Sequence, residues 1–159
     1  MIDPRGTRFS AAITSLVLAL VILTTPGPAA GVLISLQTLV FAFGAILGPG
    51  SQPYGWLFKT LIRPRLGAPS HTEDALPPQF AQAVGLFFAL AASVSMLFAW
   101  TLGVWILAGF ALFAAALNAI FGFCLGCEVY LRVRRFIPPP AVPSQEISYI
   151  DLTDRTSRV

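Results

Sequence analysis

The chain has only two cysteines, Cys124 and Cys127, and they lie three residues apart within residues 121–135, "FGFCLGCEVYLRVRR". A C-x-x-C pair can exchange disulfides, carry sulfur, or lend two thiolates to a metal site. At that spacing on a helix the two sulfurs share a face and lie within bonding reach. The thiolate is the working form; a helix N-terminus or a nearby cation favours it, and a helix C-terminus or a carboxylate opposes it. Glu128 follows the second cysteine directly, and Arg132, Arg134 and Arg135 come soon after. Arg132 is the candidate for steadying negative charge on a thiolate, although its spacing of four from Glu128 equally suits an ion pair.

Other chemistries find little support. Two thiolates and one distant histidine, His71 in "SHTEDALPP", fall short of the four ligands of a structural zinc site. His71 reads as a solvated loop residue, and neither a metal nor a cofactor is assigned. There is no Gly-rich phosphate loop, no serine-histidine-acid set, and no carboxylate away from the end of an apolar run of the kind a pump or ion channel would show.

The elements that must position the cysteines follow from composition. With 56% hydrophobic and 11% charged residues, the chain is far from a soluble domain and belongs in a bilayer. Four apolar runs are long enough to span one, at about residues 9–24, 29–47, 79–100 and 102–132. "TTPGP" and "GPG" break the chain after the first and second runs, and Pro77-Pro78 opens the third. The expected fold is an all-α membrane protein whose four transmembrane helices form two antiparallel hairpins.

The basic residues are one-sided. Arg5 and Arg8 precede the first span, Lys59, Arg63 and Arg65 lie between the second and third, and the remaining five follow the cysteines. "TTPGPAAG" and "AWTLG" carry no charge. The positive-inside rule then places both termini and the long middle loop in the cytoplasm, and the net charge of +3 describes a rim facing anionic lipid rather than a nucleic-acid surface. An alternative makes the first span a signal peptide cleaved near Ala29, although prolines crowd that site. Between the second and third spans, "PYGWLFKTLIRPRLG" mixes aromatic rings with cations and reads as a short interfacial helix begun by Pro53. Residues 1–137 form the transmembrane domain, and residues 138–159 read as a disordered, Pro-rich cytoplasmic tail.

From Leu102, the cysteines fall about 22 and 25 residues along a continuous helix, at the cytoplasmic edge of the hydrocarbon. A permanent disulfide is disfavoured in that compartment. The motif would then lie toward a helix C-terminus, unless Gly122 and Gly126 break the helix and let Cys124 begin a new turn. The same glycines also suit close packing against a neighbouring helix. Farther up, Gln82 and Asn118 fall opposite each other in an antiparallel third–fourth pair and are expected to hydrogen-bond as helix glue.

The segments "DPRGTRF", "FGAILGPG", "PYGWLFKTLIRPRLG", "PPQFAQAVG" and "NAIFGFCLGCEVY" resemble a bacterial membrane family catalogued as domain of unknown function 4395, over about residues 2–133. The resemblance implies a small multi-span protein with its C-x-x-C at Cys124 and Cys127. It also favours retention of the first helix. Members found beside thioredoxin-like proteins and sulfurtransferases imply thiol or sulfur traffic, without an established activity. Two functions follow as expectations. Cys124 and Cys127 form a cytoplasmic-side dithiol in the bacterial inner membrane, exchanging disulfides or sulfur with a thioredoxin-like or sulfurtransferase partner. Alternatively the protein is a scaffold or accessory subunit, and the cysteines only pack a helix interface.

Overall fold

A computed structural model describes residues 2–67, 69 and 72–136. His71 and the tail 138–159 lie outside the described residues. Within them the chain is helical, with no strand. Four helices are long and apolar enough to cross a membrane: α1 (Pro4–Thr24), α2 (Pro28–Leu47), α5 (Leu76–Leu97) and α6 (Thr101–Phe121). Between α2 and α5 the chain coils through α3 (Pro53–Leu57), one π-helical turn (Phe58–Ile62) and α4 (Arg63–Leu66). Last comes α7 (Leu125–Phe136).

Proline starts are a common local device. Pro4, Pro28 and Pro53 open α1, α2 and α3, and Pro77-Pro78 lie in the first turn of α5, where the missing N–H costs no helical bond. The four long helices close a ring in the order α1–α2–α5–α6, and the most extensive packing is α1 on α6 and α2 on α5. Arg8, near the start of α1, reaches the last carbonyls of α6, and Gln79, near the start of α5, donates to the Ala45 carbonyl near the end of α2 at 2.8 Å. Both of these pairs therefore run antiparallel.

The core is narrow and small-grained. Leu18 and Val21 of α1, Ala30, Ile34 and Phe41 of α2, Ala89 and Ala92 of α5, and Val104, Ala108 and Ala111 of α6 are buried together. Alanine lets the backbones approach closely, which is how helices associate in lipid, where apolar side chains gain little by leaving one apolar phase for another. Large side chains such as Leu23, Phe87, Leu97 and Phe113 face outward instead. Because α1 supplies fully buried Leu18 and Val21, its removal as a signal peptide would open this core.

Polar glue is present, but on other pairs than the one expected. Gln37 of α2 is fully buried; its Nε2 donates to Thr14 Oγ1 of α1 at 3.4 Å and its Oε1 accepts from the Tyr54 hydroxyl of α3 at 3.0 Å. Thr38 and Ser93 link α2 to α5 at 3.3 Å. In hydrocarbon an unpaired amide costs several kcal/mol, so these bonds fix which helix faces meet.

At the end bearing Arg5 and Arg8, Asp3 caps α1 by accepting the Arg5 backbone N–H at 2.9 Å, and the Arg5 guanidinium both pairs with Asp3 and donates to the Leu66 and Gly67 carbonyls. Burial alone would raise the Asp3 carboxyl, but the hydrogen bonds from Arg5 and the charges of Arg5 and Arg63 outweigh it and hold the group below its ordinary 3.8. A carboxyl depressed in the folded state stabilises the fold above its unfolded value, and that contribution is lost as pH falls through the lower folded value. Asp3→Ala should therefore cost about 1 kcal/mol at neutral pH and almost nothing in strong acid. Thermal unfolding in detergent at the two pH values checks this.

Candidate functional site

The run 102–132, read above as one helix, is two. α6 stops at Phe121, and Gly122 adopts φ 69° and ψ 13° while its N–H bonds the Asn118 carbonyl at 3.0 Å. This is a left-handed helix stop, a conformation that costs a residue with a Cβ about 1–2 kcal/mol. Phe123 and Cys124 follow in non-helical backbone, and α7 begins at Leu125. The Cys124 carbonyl accepts the Glu128 N–H at 3.1 Å, and Cys124 Sγ accepts the Cys127 N–H at 3.3 Å. Cys124 thus holds the N-cap place of α7, with its sulfur in the role usually taken by a serine or aspartate oxygen. The sulfur lies at the positive end of a helix, the reverse of the expected C-terminal setting.

Cys124 and Cys127 are joined in a disulfide, with Cα atoms 5.2 Å apart. Both residues are half-buried. α7 is held against the start of α5 by one face: a Cβ on Gly126 would meet that of Ala81 at 2.6 Å, and the Tyr130 ring lies 5.7 Å from that of Phe80. Gly126 is the residue that lets the two backbones approach this closely. The opposite side of α7 is exposed, Arg132 included. Arg132 forms no ion pair with Glu128; among the described residues the ion pair seen is Arg5–Asp3.

Another cation lies beside the bend. Arg8 Nη2 donates to the Ala119 and Ile120 carbonyls at 3.4 and 3.1 Å, and its guanidinium carbon comes 3.9 Å from where a Gly122 Cβ would sit. Arg8 thereby serves the orphan carbonyls at the end of α6 and brings positive charge within two residues of Cys124. Sequence spacing singled out Arg132, on the same helix as the motif. Arg8, more than a hundred residues away, is recruited only because α1 runs antiparallel to α6.

Both cysteines border an open cavity of about 770 Å³ lined mainly by α1, α5, α6 and α7. The Phe88 and Phe110 rings, 6.2 Å apart, lie at its end nearer the α5–α6 turn, and the disulfide lies at the other. Gln82 and Asn118 both line it. The hydrogen bond expected between them is absent: Gln82 is turned over Gly44 of α2, and its Oε1 is buried without a partner. The cause is a long-range contact: Gln79 ties the first turn of α5 to the end of α2 through the Ala45 carbonyl, and Gln82, one turn on, lies against Gly44 of α2 instead of reaching across the cavity to Asn118.

These features define a multi-pass helical membrane protein with a disulfide that opens a short helix beside an interhelical cavity. The chain belongs to the family described as Domain of unknown function (DUF4395), whose profile matches residues 2–135. No curated protein and no solved structure matches it.

Proposed function

We propose that the protein is a membrane-embedded dithiol carrier of the bacterial cytoplasmic membrane, in which Cys124 and Cys127 cycle between dithiol and disulfide by exchange with a thioredoxin-like or sulfurtransferase protein on the cytoplasmic side. The observation that carries this reading is the N-cap place of Cys124. The Cys127 N–H and the start of the α7 dipole favour a thiolate on Cys124, which makes it the attacking group of the dithiol and the better leaving group of the disulfide. Cys124 attacks a partner disulfide, forming a mixed disulfide and releasing a partner thiolate; Cys127 then attacks the Cys124 sulfur and releases the second. The reverse reaction passes through the same mixed disulfide. Arg132 adds positive charge from two turns along α7, and Arg8 does so from beside the bend.

In this reading α1–α2 and α5–α6 insert as two hairpins, and the segment from Pro53 to Leu66, with exposed Trp56 and Leu61 beside Lys59 and Arg63, lies in the headgroup layer. The described cations all attach to the end of the bundle that carries the disulfide, which supports a cytoplasmic assignment for that end. A reporter fused after Val159 should be cytoplasmic, whereas one inserted near Gly27 or Thr101 should be external; the opposite pattern would remove the partner from reach.

The close fit of Gly126 on Ala81 favours a second reading, a scaffold in which the cysteines only pack. Single Cys→Ser variants separate the two. A dithiol carrier traps a soluble thiol protein as a mixed disulfide. No trapped partner, together with full function in the double serine variant, assigns the protein to the scaffold class.

A further inference from the structure

We propose that the cavity beside the disulfide binds a lipid-soluble quinone, which takes two electrons from the Cys124–Cys127 dithiol; this rests on the dithiol reading above and names where its electrons go. Three observations point to this occupant. First, three of its walls, α1, α5 and α6, are helices able to span a membrane, and Phe110 and Phe113, both more than half exposed, also line the cavity, so it communicates with the lipid phase. Second, about 770 Å³ of mainly apolar lining with a few polar groups is the size and character of a small-molecule site. Third, the polar side chains that α5 and α6 bring to the cavity, Gln82 and Asn118, line it toward the sulfur end and are not bonded to each other.

A hydrocarbon chain in this slot would offer the Asn118 and Gln82 amides no hydrogen-bond partner. A quinone ring presents carbonyl acceptors to amide N–H groups, and its quinol presents a hydroxyl donor to the Asn118 amide oxygen. The ring is flat and apolar enough for the Ala111, Ala114 and Ala115 side of α6, and its isoprenoid tail leaves past Phe113 into lipid. The reaction balances as written. Two S–H bonds are lost and one S–S bond forms, while two electrons and two protons convert the quinone carbonyls to hydroxyls. A soluble dithiol partner then restores the membrane dithiol by exchange through Cys124.

The test uses the full chain in phosphatidylcholine nanodiscs, reduced, freed of reductant, and mixed with decylubiquinone, with quinone absorbance and free thiols followed together. Wild type should lose two thiols for each quinone reduced. Ala115→Phe, which fills the slot, should slow that oxidation by about tenfold to a hundredfold, since small misplacements of reacting groups cost this much, while oxidation by water-soluble diamide keeps its rate. Asn118→Leu removes a polar partner while keeping the number and branching of the side-chain heavy atoms and should also slow the quinone reaction, so a misfolded Ala115→Phe protein does not spare the proposal. Equal quinone rates in wild type and both variants would overturn the cavity as the site. Wild-type thiols inert to quinone, yet oxidised by diamide and exchanging with thioredoxin, would overturn the quinone and leave the carrier standing. Thiols oxidised by quinone that never exchange with a thioredoxin-like protein would support the site and reject the carrier's soluble partner.

Discussion

Gly122→Val should lower the alkylation rate of Cys124 in the reduced protein by roughly 5- to 30-fold at neutral pH, the equivalent of about 1–2 kcal/mol of lost thiolate stabilisation. Gly122 holds a left-handed backbone with φ 69°, which a β-branched residue resists more than any other substitution short of proline. Relief of that strain continues α6 toward α7. Cys124 then moves from the cap of one helix to the interior of another, its sulfur loses the Cys127 N–H, and the nearest helix end becomes a negative one. Iodoacetamide kinetics read by mass spectrometry measure the rate, and size-exclusion behaviour in detergent checks that the bundle persists. An unchanged rate in a folded variant would remove the N-cap argument. Val129→Ala, an exposed change on α7 away from the bend, is the control for general loosening of that helix.

The two single serine variants should differ sharply. Cys127→Ser leaves the favoured thiolate on Cys124 and deletes the resolving thiol, so a mixed disulfide with a soluble partner accumulates to most of the protein. Cys124→Ser leaves Cys127 inside the first turn of α7, without the cap contact, and should trap only a trace. Adding Arg8→Gln to Cys127→Ser should slow trapping by about two- to fivefold, because one nearby charge at a partly exposed site contributes about 0.3–1 kcal/mol. Non-reducing gels after acid quench, with the trapped species identified by mass, give the result. Equal trapping by both cysteines would mean that the helix end does not select between them.

The spanning helices were legible because the rules that make them are local. Length, apolar content and proline or glycine breaks mark α1, α2 and α5 to within a few residues. The break at Gly122 was legible only as an alternative: glycine past the end of an apolar run is a stop signal, but the run "NAIFGFCLGCEVYL" continues apolar beyond it, and periodicity cannot say which side of a glycine a helix resumes. Where reasoning failed, long-range contacts decide. Gln82 and Asn118 face each other on an ideal antiparallel pair, yet Gln82 lies against Gly44 and Gln79 ties the first turn of α5 to α2. Gln37, whose two hydrogen bonds tie three helices, carried no sign in the sequence beyond being an amide inside an apolar run. Arg8 was read for its charge alone, since nothing near it in sequence foretells contact with Ile120.

That Arg8 contact has a consequence for how the protein is made. Of the four long helices, α1 leaves the ribosome before the other three and finds its largest packing partner in α6, the fourth of them, so α1 must wait in the bilayer while α2 and α5 arrive. Until the ring closes, the end of α6 lacks its cation and the cavity lacks one wall. The two cysteines are therefore synthesised before their surroundings are complete: a chain whose ring has not closed carries both, yet lacks the Arg8 contact and one wall of the cavity.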